Sequence, residues 1–468
     1  MSELHRRPPR LAATLALATL LALGSAPARA GSGQALGAPA DSATRTTWTL
    51  SNGTRVVAQH IPDGFAIAIS VSYPGGTDQD PADRGGLAAL LAELQFTAAA
   101  GEVPDRTRSE MRSLRPMGAD IHVGRCFTIL TEVASRAQFH GVLHQVAARM
   151  HGVQVSPKEL AAAIATVRER YQGQFLREVD VALHNEVGER ARGTDDASLR
   201  RLAAVAGLDR LTPQDVAPLL AKSFSPRHAL ITIAGNLEGL DLRAALEHEL
   251  AALPGGAPGA LPPIRSQRAV TTLVRRAGLE RPVGVLGIFA PALSDSSHPA
   301  FFLASLIIGA QANIQWGEPV APLRARFQYS VLEDPDLLRL YPPMALTDRT
   351  GEALAESFNS TIGRQDNLVV SDDIAADLRY GVGWLLGAPL NDRALNHMRT
   401  ESTALILLST SLAEGELRGG EPFWSVYRAR AEHVGVPDLV YWLGYMRDPK
   451  LQARLVYLPA ERKAEAGH

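Results

Sequence analysis

A Pro/Gly-rich run, Ala251-Ala252-Leu253-Pro254-Gly255-Gly256-Ala257-Pro258-Gly259-Ala260-Leu261-Pro262-Pro263, sits near the middle of this 468-residue chain. Proline removes a backbone donor and glycine costs backbone entropy, so no helix or strand interior tolerates that density of both. The run reads as a linker between two parts of similar length. A chain of this size also exceeds what one hydrophobic core serves well. Strands followed by pairs of helices come once before the run and once after it. The expected fold class is therefore α+β: two similar domains, each a mostly antiparallel sheet covered by a helical layer. The expected boundaries are 44–250 and 266–460, joined by a linker over 251–265, with a short tail at 461–468.

The beginning of the chain reads as an export signal. His5, Arg6, Arg7 and Arg10 precede an apolar run from Leu11 to Leu23, and Ala28-Arg29-Ala30 has the small-x-small form of a cleavage site. The run falls short of the roughly 20 residues that span a bilayer. The expectation is a signal peptide over 1–30, a flexible lead over 31–43, and a mature protein in the periplasm or outside the cell; an uncleaved anchor is the alternative. Cys126 is the single cysteine, so no internal disulfide is available and the fold must rest on its cores. It stands in the strand-like run Arg125-Cys126-Phe127-Thr128-Ile129-Leu130 and reads as a packed side chain. A net charge of −2 argues against a nucleic-acid surface.

Local signals place the elements. Trp48-Thr49-Leu50 and Thr54-Arg55-Val56-Val57 flank Ser51-Asn52-Gly53, a tight hairpin signal. Ala66 to Tyr73 alternates apolar and small residues, the pattern of a half-buried strand, and Pro74-Gly75-Gly76 ends it. A strand over Cys126–Val133, helices near 136–151 and 157–178, a capped helix start at Leu211-Thr212-Pro213-Gln214-Asp215 and a strand over Ala229–Ala234 complete the first half. In the second half, Val283–Phe289 is a strand and Ser297-His298-Pro299 starts a helix to Ile308. A hairpin-like region surrounds Tyr329, and helices follow around 350–364, 371–386, 393–413 and 423–434. Leu455-Val456-Tyr457-Leu458 is the counterpart of Leu230-Ile231-Thr232-Ile233.

Chemistry converges on Gly86-Leu87-Ala88-Ala89-Leu90-Leu91-Ala92-Glu93-Leu94-Gln95-Phe96. Leu87, Leu90, Leu91 and Leu94 form one helix stripe, and Ala89, Ala92, Glu93 and Phe96 another. In a zinc peptidase with the order His-x-x-Glu-His, the second stripe carries both imidazoles and the general base. Here those slots are Ala89, Ala92 and Glu93. Leu50-Ser51-Asn52-Gly53-Thr54-Arg55-Val56, then Gly75-Gly76-Thr77-Asp78, then Gly86-Leu87-Ala88 with Phe96 in register, then Ile231-Thr232-Ile233-Ala234-Gly235-Asn236 follow one another in order. In that order the chain resembles the pitrilysin/insulinase-type zinc peptidases, most closely the group that includes the mitochondrial processing peptidase. The match runs from about residue 47 to 460 and departs at the metal ligands.

The resemblance implies two α+β domains closing around a chamber and a third zinc ligand, a Glu on a later helix. Glu169 stands at that spacing, between Arg168 and Arg170, and also reads as a solvated surface residue. Two carboxylates, Glu93 and Glu169, make a hard-ion site that zinc does not favour. Ala92 removes the group that would take a proton from bound water. The chain alone is therefore expected to have no cofactor and no zinc hydrolysis. Some subunits of the family lack zinc ligands and pair with a zinc-bearing partner, to which they lend an Arg and a Tyr that bind substrate. Leu323-Arg324-Ala325-Arg326-Phe327-Gln328-Tyr329-Ser330-Val331 resembles that segment with a shorter spacing. The resemblance thus implies Arg324 (or Arg326) and Tyr329 as substrate-binding residues, able to polarise a carbonyl.

Other motifs are weaker. His140, His144 and His151 share a helix face with no acidic residue of that helix beside them, and a packing or surface role is the default. Asp78, Asp80 and Asp83 read as a solvated turn, since they lack the calcium-loop spacing. Asn52-Gly53-Thr54 and Asn359-Ser360-Thr361 match a glycan acceptor pattern that has meaning only in a eukaryotic secretory route. No phosphate loop, Gly-x-Ser-x-Gly or Cys-x-x-Cys occurs. Two functions lead, ahead of a third reading, an enzyme with an unrecognised site around His140. One is an exported, non-catalytic subunit that binds peptide beside a homologous zinc-bearing partner. The other is an envelope peptide-binding or scaffold protein with no role in hydrolysis.

Overall fold

The computed structural model describes residues 45–81, 83–115, 117–171, 179–193, 204–259, 261, 267–316, 326–330, 334–341, 350–354, 356, 375 and 398–460. The first half runs β1 (Arg45–Thr49), β2 (Arg55–His60), β3 (Ala66–Pro74), α1 (Leu87–Thr97), α2 (Arg108–Leu114), β4 (Ala119–Val123) and β5 (Phe127–Ser135). It continues with α3 (Phe139–His151), α4 (Pro157–Tyr171), α5 (Val179–Ala191), α6 (Pro213–Ser223), β6 (Leu230–Gly235) and α7 (Leu242–Leu250). The second half has β7 (Val270–Arg276), β8 (Val283–Phe289), α8 (His298–Trp316), β9 (Arg326–Ser330) and β10 (Asp334–Tyr341). It ends with α9 (Ser402–Leu417), α10 (Gly420–Glu432), α11 (Val436–Tyr445) and β11 (Gln452–Pro459).

The strands form two mixed sheets, β1-β2-β6-β3-β5-β4 and β7-β11-β8-β10-β9. β2 pairs with β6 in parallel, as β7 does with β11, and every other pairing in both sheets is antiparallel. The two orders superimpose strand for strand, except that β1 has no counterpart beside β7 among the described residues. The repeat read from the sequence is thus one of topology, and the fold class is α+β as expected.

The halves exchange a helix. Helix α9, from the second half, lies on the first sheet against β3, β6 and β5. Helix α5, from the first half, lies on the second sheet against β11 and β8. β3 explains how the first contact closes. Its Ile67, Ile69, Val71 and Tyr73 enter the core shared with α1 and α3. Its small residues face α9, where Ala66 and Ala68 pack with Ala404 and Leu405. Buried hydroxyls fasten that face: Ser70 meets Thr131 and Ser409 at 2.7 Å each, and Thr232 meets Ser409 at 3.0 Å. The alternation in β3 predicts one exposed face. Both faces are buried instead, because a helix more than 300 residues away covers the small one.

The Pro/Gly-rich run is docked rather than free. Asn52 donates to the carbonyls of Leu250 (2.8 Å) and Leu253 (3.2 Å), while its carbonyl oxygen accepts from Thr54 N–H at 3.0 Å. A Cβ on Gly255 would stand 2.4 Å from Asn52 O. The run therefore straps the β1–β2 hairpin to α7. Its glycines serve close approach as well as chain reversal, and the Asn52 side-chain amide is committed to the strap. Asn52→Ala is expected to cost about 1–3 kcal/mol by removing its bonds to Leu253 O and Thr54 N–H, while Leu250 O keeps the bond from Leu253 N–H at 2.9 Å. A thermal-melt midpoint within error of the parent would contradict the strap.

Candidate functional site: a helix without its ligands

Helix α1 is positioned from its N-terminus. Gly86 adopts φ 82°, and a Cβ there would press Val167 of α4 at 3.2 Å. Asp80 caps the helix, accepting from Gly86 N–H at 2.8 Å and Ala88 N–H at 2.7 Å. The capping carboxylate also suits the positive end of the helix dipole. Every residue from Ala89 to Phe96 is buried, so α1 is a core helix rather than an amphipathic one.

The three motif slots lie inside this core. Ala92 is 0% exposed, Ala89 joins the same apolar cluster, and Glu93 is 6% exposed. Glu169 does not join them. It is exposed on α4, whose Leu160, Ala163, Ile164, Val167 and Tyr171 face inward. Two methyl groups, one buried carboxylate and one solvent-facing carboxylate on another helix do not fit a catalytic zinc, which needs three converging donors and a bound water. Among the described residues, no group of three His, Cys, Asp or Glu side chains is gathered for a metal.

What surrounds α1 is charge locked into pairs. Glu132 of β5, 2% exposed, accepts from Arg115 Nε at 2.8 Å and from Arg149 of α3. Arg115 also donates to Gln145 at 2.6 Å. Gln95 of α1 donates to Arg149 O at 2.7 Å, and the Arg149 guanidinium stands 5.5 Å from the Phe96 ring centre. Burial, helped by the nearby Arg115 charge, lowers the Arg149 guanidinium to about 10. Burial also pushes the Tyr73 phenol up. These groups bind one another and fix α1 to α3 and β5; none of them faces an open cleft as an acid or base.

A second chain of charges joins the halves. Arg125, in the β4–β5 turn, donates to Asp78 at 3.0 Å and to Asp336 of β10 at 3.5 Å. Arg192, just after α5, reaches Asp336 at 3.4 Å. The turn holding Asp78 leads directly into the Asp80 cap, so the second sheet is tied to the start of α1. Asp78 and Asp80 are therefore structural partners rather than members of a solvated turn.

The remaining sequence candidates are dispersed. Arg324 lies outside the described residues, and Arg326 and Tyr329 belong to β9, an outer strand of the second sheet. Cys126 immediately precedes β5 and packs against the apolar cluster in which the first sheet meets α9. His140, His144 and His151 are all exposed. His144 meets Glu249 at 2.9 Å and His248 meets the same carboxylate at 3.3 Å. This acidic partner comes from α7, which periodicity along α3 alone does not reveal. The Glu132, Arg115 and Arg149 network has no sequence signal either, since single charges between apolar residues look like surface positions. Asn359 is outside the described residues.

No protein-family model and no curated protein matches the chain. Solved structures do. A protease from Helicobacter pylori superimposes with a TM-score of 0.71 at 14% identity, over 89% of this chain and 100% of that one. A peptidase M16 inactive domain from Pseudomonas fluorescens gives 0.64 at 11% identity, over 89% and 98%. The periplasmic protease PqqL from Escherichia coli gives 0.63 at 13% identity over 92% of this chain, which spans 48% of PqqL. The fold is thus that of the M16, or pitrilysin-type, peptidases and of their inactive domains. Likeness at these identities establishes architecture, and the chemistry must be read from this chain's own residues. No helix among the described residues is long and apolar enough to cross a membrane.

Proposed function

We propose that this chain is an exported pseudopeptidase: an M16-type subunit that binds peptide and complements a homologous, zinc-bearing partner without hydrolysing anything alone. The observation that carries the reading is the burial of Ala89 and Ala92 in the α1 core, with Glu169 turned to solvent. The existence of an inactive M16 domain with this fold supports it. Export follows from the signal-like residues 1–30, and the periplasmic E. coli protease is a parallel. The domain limits 44–250 and 266–460 belong to the same reading. Peptide binding is supported by β4, which pairs with β5 on one side and, among the described residues, ends the first sheet on the other. Such an edge offers backbone donors and acceptors to an extended chain.

In this reading Arg324, or Arg326, and Tyr329 donate to the substrate carbonyl at the partner's metal. The test is co-expression with a zinc-bearing homologue. Tyr329→Phe and Arg324→Ala are expected to lower the complex's peptide turnover by about 100-fold each, the scale of losing one oxyanion donor. A complex that forms and turns over at the parent rate with both substitutions contradicts the assigned roles. Failure to form any complex contradicts the partnership itself.

A further inference from the structure

Helix α7 is entered through the loop 236–241, which follows β6 and passes the end of β2. Inside the loop Glu238 N–H donates to Asn236 Oδ1 at 3.2 Å, and Leu240 N–H donates to Leu237 O at 3.2 Å. Leu237 and Leu240 keep it near the core by half-buried apolar contacts. One hydrogen bond ties it to the first sheet: Leu237 N–H donates to Nδ1 of His60, the last residue of β2, at 3.1 Å. Among the described residues, no other hydrogen bond joins 237–240 to the strands. A cavity of about 240 Å³ is walled by Trp48, Ala58 and His60 from the strands and by Leu237 and Leu242 from the loop and helix. The loop thus rests on the sheet through a single polar contact, with room beside it.

A backbone N–H only donates, so His60 Nδ1 must carry a lone pair, and the ring proton sits on Nε2. An imidazolium has hydrogens on both nitrogens and no acceptor. Charging His60 therefore removes the Leu237 bond outright. The charged groups around the ring do not restore it. Glu238 lines the same cavity but is exposed, so water and salt screen its pull on an imidazolium. Arg136 Nη2 lies 3.0 Å from where a Gly239 Cβ would stand and opposes that pull, as does exposed Arg243 in the first turn of α7. Asp241 is spent on the α7 cap, accepting from Ala244 N–H at 3.0 Å. Beyond β2, Asp63 pairs with Arg399, and on β1 Arg45 pairs with Glu416.

The last turn of α7 has contacts of the opposite sense. Glu249 accepts from His144 of α3 at 2.9 Å and from His248 at 3.3 Å. Burial raises the Glu249 carboxyl, and the bonds from the two imidazoles more than offset it, so the group is held below its usual range. Glu249 stays charged when the imidazoles gain protons, and both contacts then become charge-assisted. The Asn52 bonds to Leu250 O and Leu253 O do not titrate and anchor this end at any charge state.

We infer that α7 is a pH-responsive element: acid frees its entry loop from β2 at His60 while its last turn stays bound to α3 at Glu249. The device lies within this chain and depends on no partner, so it goes beyond the proposed function.

The test is hydrogen–deuterium exchange on the purified full chain at pH 8 and pH 5, the span in which histidine changes charge, with each rate corrected for its intrinsic pH dependence. Protection over 237–241 is expected to fall about tenfold at pH 5, the scale of one lost hydrogen bond, while the strands of the first sheet keep theirs. His60→Asn places Oδ1 where Nδ1 stood, an acceptor that does not titrate, so its loop should be equally protected at both pH values. The last turn of α7 should gain protection at pH 5, and the double variant His144→Gln, His248→Gln should lose that gain. An unchanged loop in the parent overturns the inference, and so does a fall of the same size in His60→Asn. A fall shared by the whole chain is acid unfolding and overturns it as well.

Discussion

Glu132→Ala is expected to destabilise this fold by about 3–5 kcal/mol, because it strands two buried guanidinium groups. Glu132 is the shared acceptor of Arg115 and Arg149, and all three are under 9% exposed. A buried ion pair contributes little relative to an apolar replacement, yet removing one member leaves uncompensated charge in a medium that solvates it poorly. Glu132→Leu with Arg115→Met and Arg149→Met should therefore regain most of the lost stability. Chemical denaturation read by tryptophan fluorescence makes the comparison. A Glu132→Ala loss under about 1 kcal/mol would mean that water reaches these charges and that the pairs behave as surface pairs do.

Gly76→Ala should cost about 3 kcal/mol, the upper range for forcing atoms into a packed site. Gly76 has φ −163°, an extended backbone open to any residue, so space alone demands glycine here. A Cβ would stand 2.1 Å from Gly124 O and 2.8 Å from Arg125 O. Backbone cannot step aside as a side-chain tip can. Opening this turn would move Asp78 off Arg125 and loosen the Asp80 cap on α1. Gly141→Ala is the control. Gly141 lies in α3 with nothing near its absent Cβ, and the substitution should stabilise by up to about 1 kcal/mol. Hydrogen exchange at α1 should rise in Gly76→Ala and stay unchanged in Gly141→Ala. The same exchange in both would separate the turn from the helix cap.

The two variants probe what the sequence conceals. Signals carried by neighbouring residues were legible. Asn52-Gly53 marks the β1–β2 hairpin, the leucine spacing marks α1, and the closing strands at Leu230 and Leu455 mark the repeat. The fold class followed from them. Contacts between distant segments were not legible. Nothing in Ser402–Leu417 announces that its small and hydroxyl residues meet the small face of β3, since only the folded sheet creates that face. Residues 398–400 are helical ahead of α9, and the start expected near 393 lies outside the described residues. The helix begun at His298 runs to Trp316, past the expected Ile308 and through Gly309 and Asn313, residues that often mark a helix end.

The candidate site divides in the same way. The missing ligands were plain in the letters at 89, 92 and 93. Whether Glu169 could compensate was a question of direction, and a helix shows direction only when it is packed. Its inward residues are apolar and Glu169 lies outside them. The buried partners of α1 came from α3 and β5, where isolated Arg and Glu residues resemble ordinary surface charges. The carboxylate beside His144 came from α7, about a hundred residues along the chain.

Equilibrium zinc binding tests the central claim most directly, comparing the parent chain with a variant carrying Ala89→His, Ala92→Glu and Glu93→His. Metal content after dialysis and calorimetric titration are the readouts. The parent should retain no stoichiometric zinc and cleave no peptide, because its donors do not converge. Stoichiometric zinc in the parent, lost on Glu93→Gln and accompanied by peptide cleavage, would contradict the account.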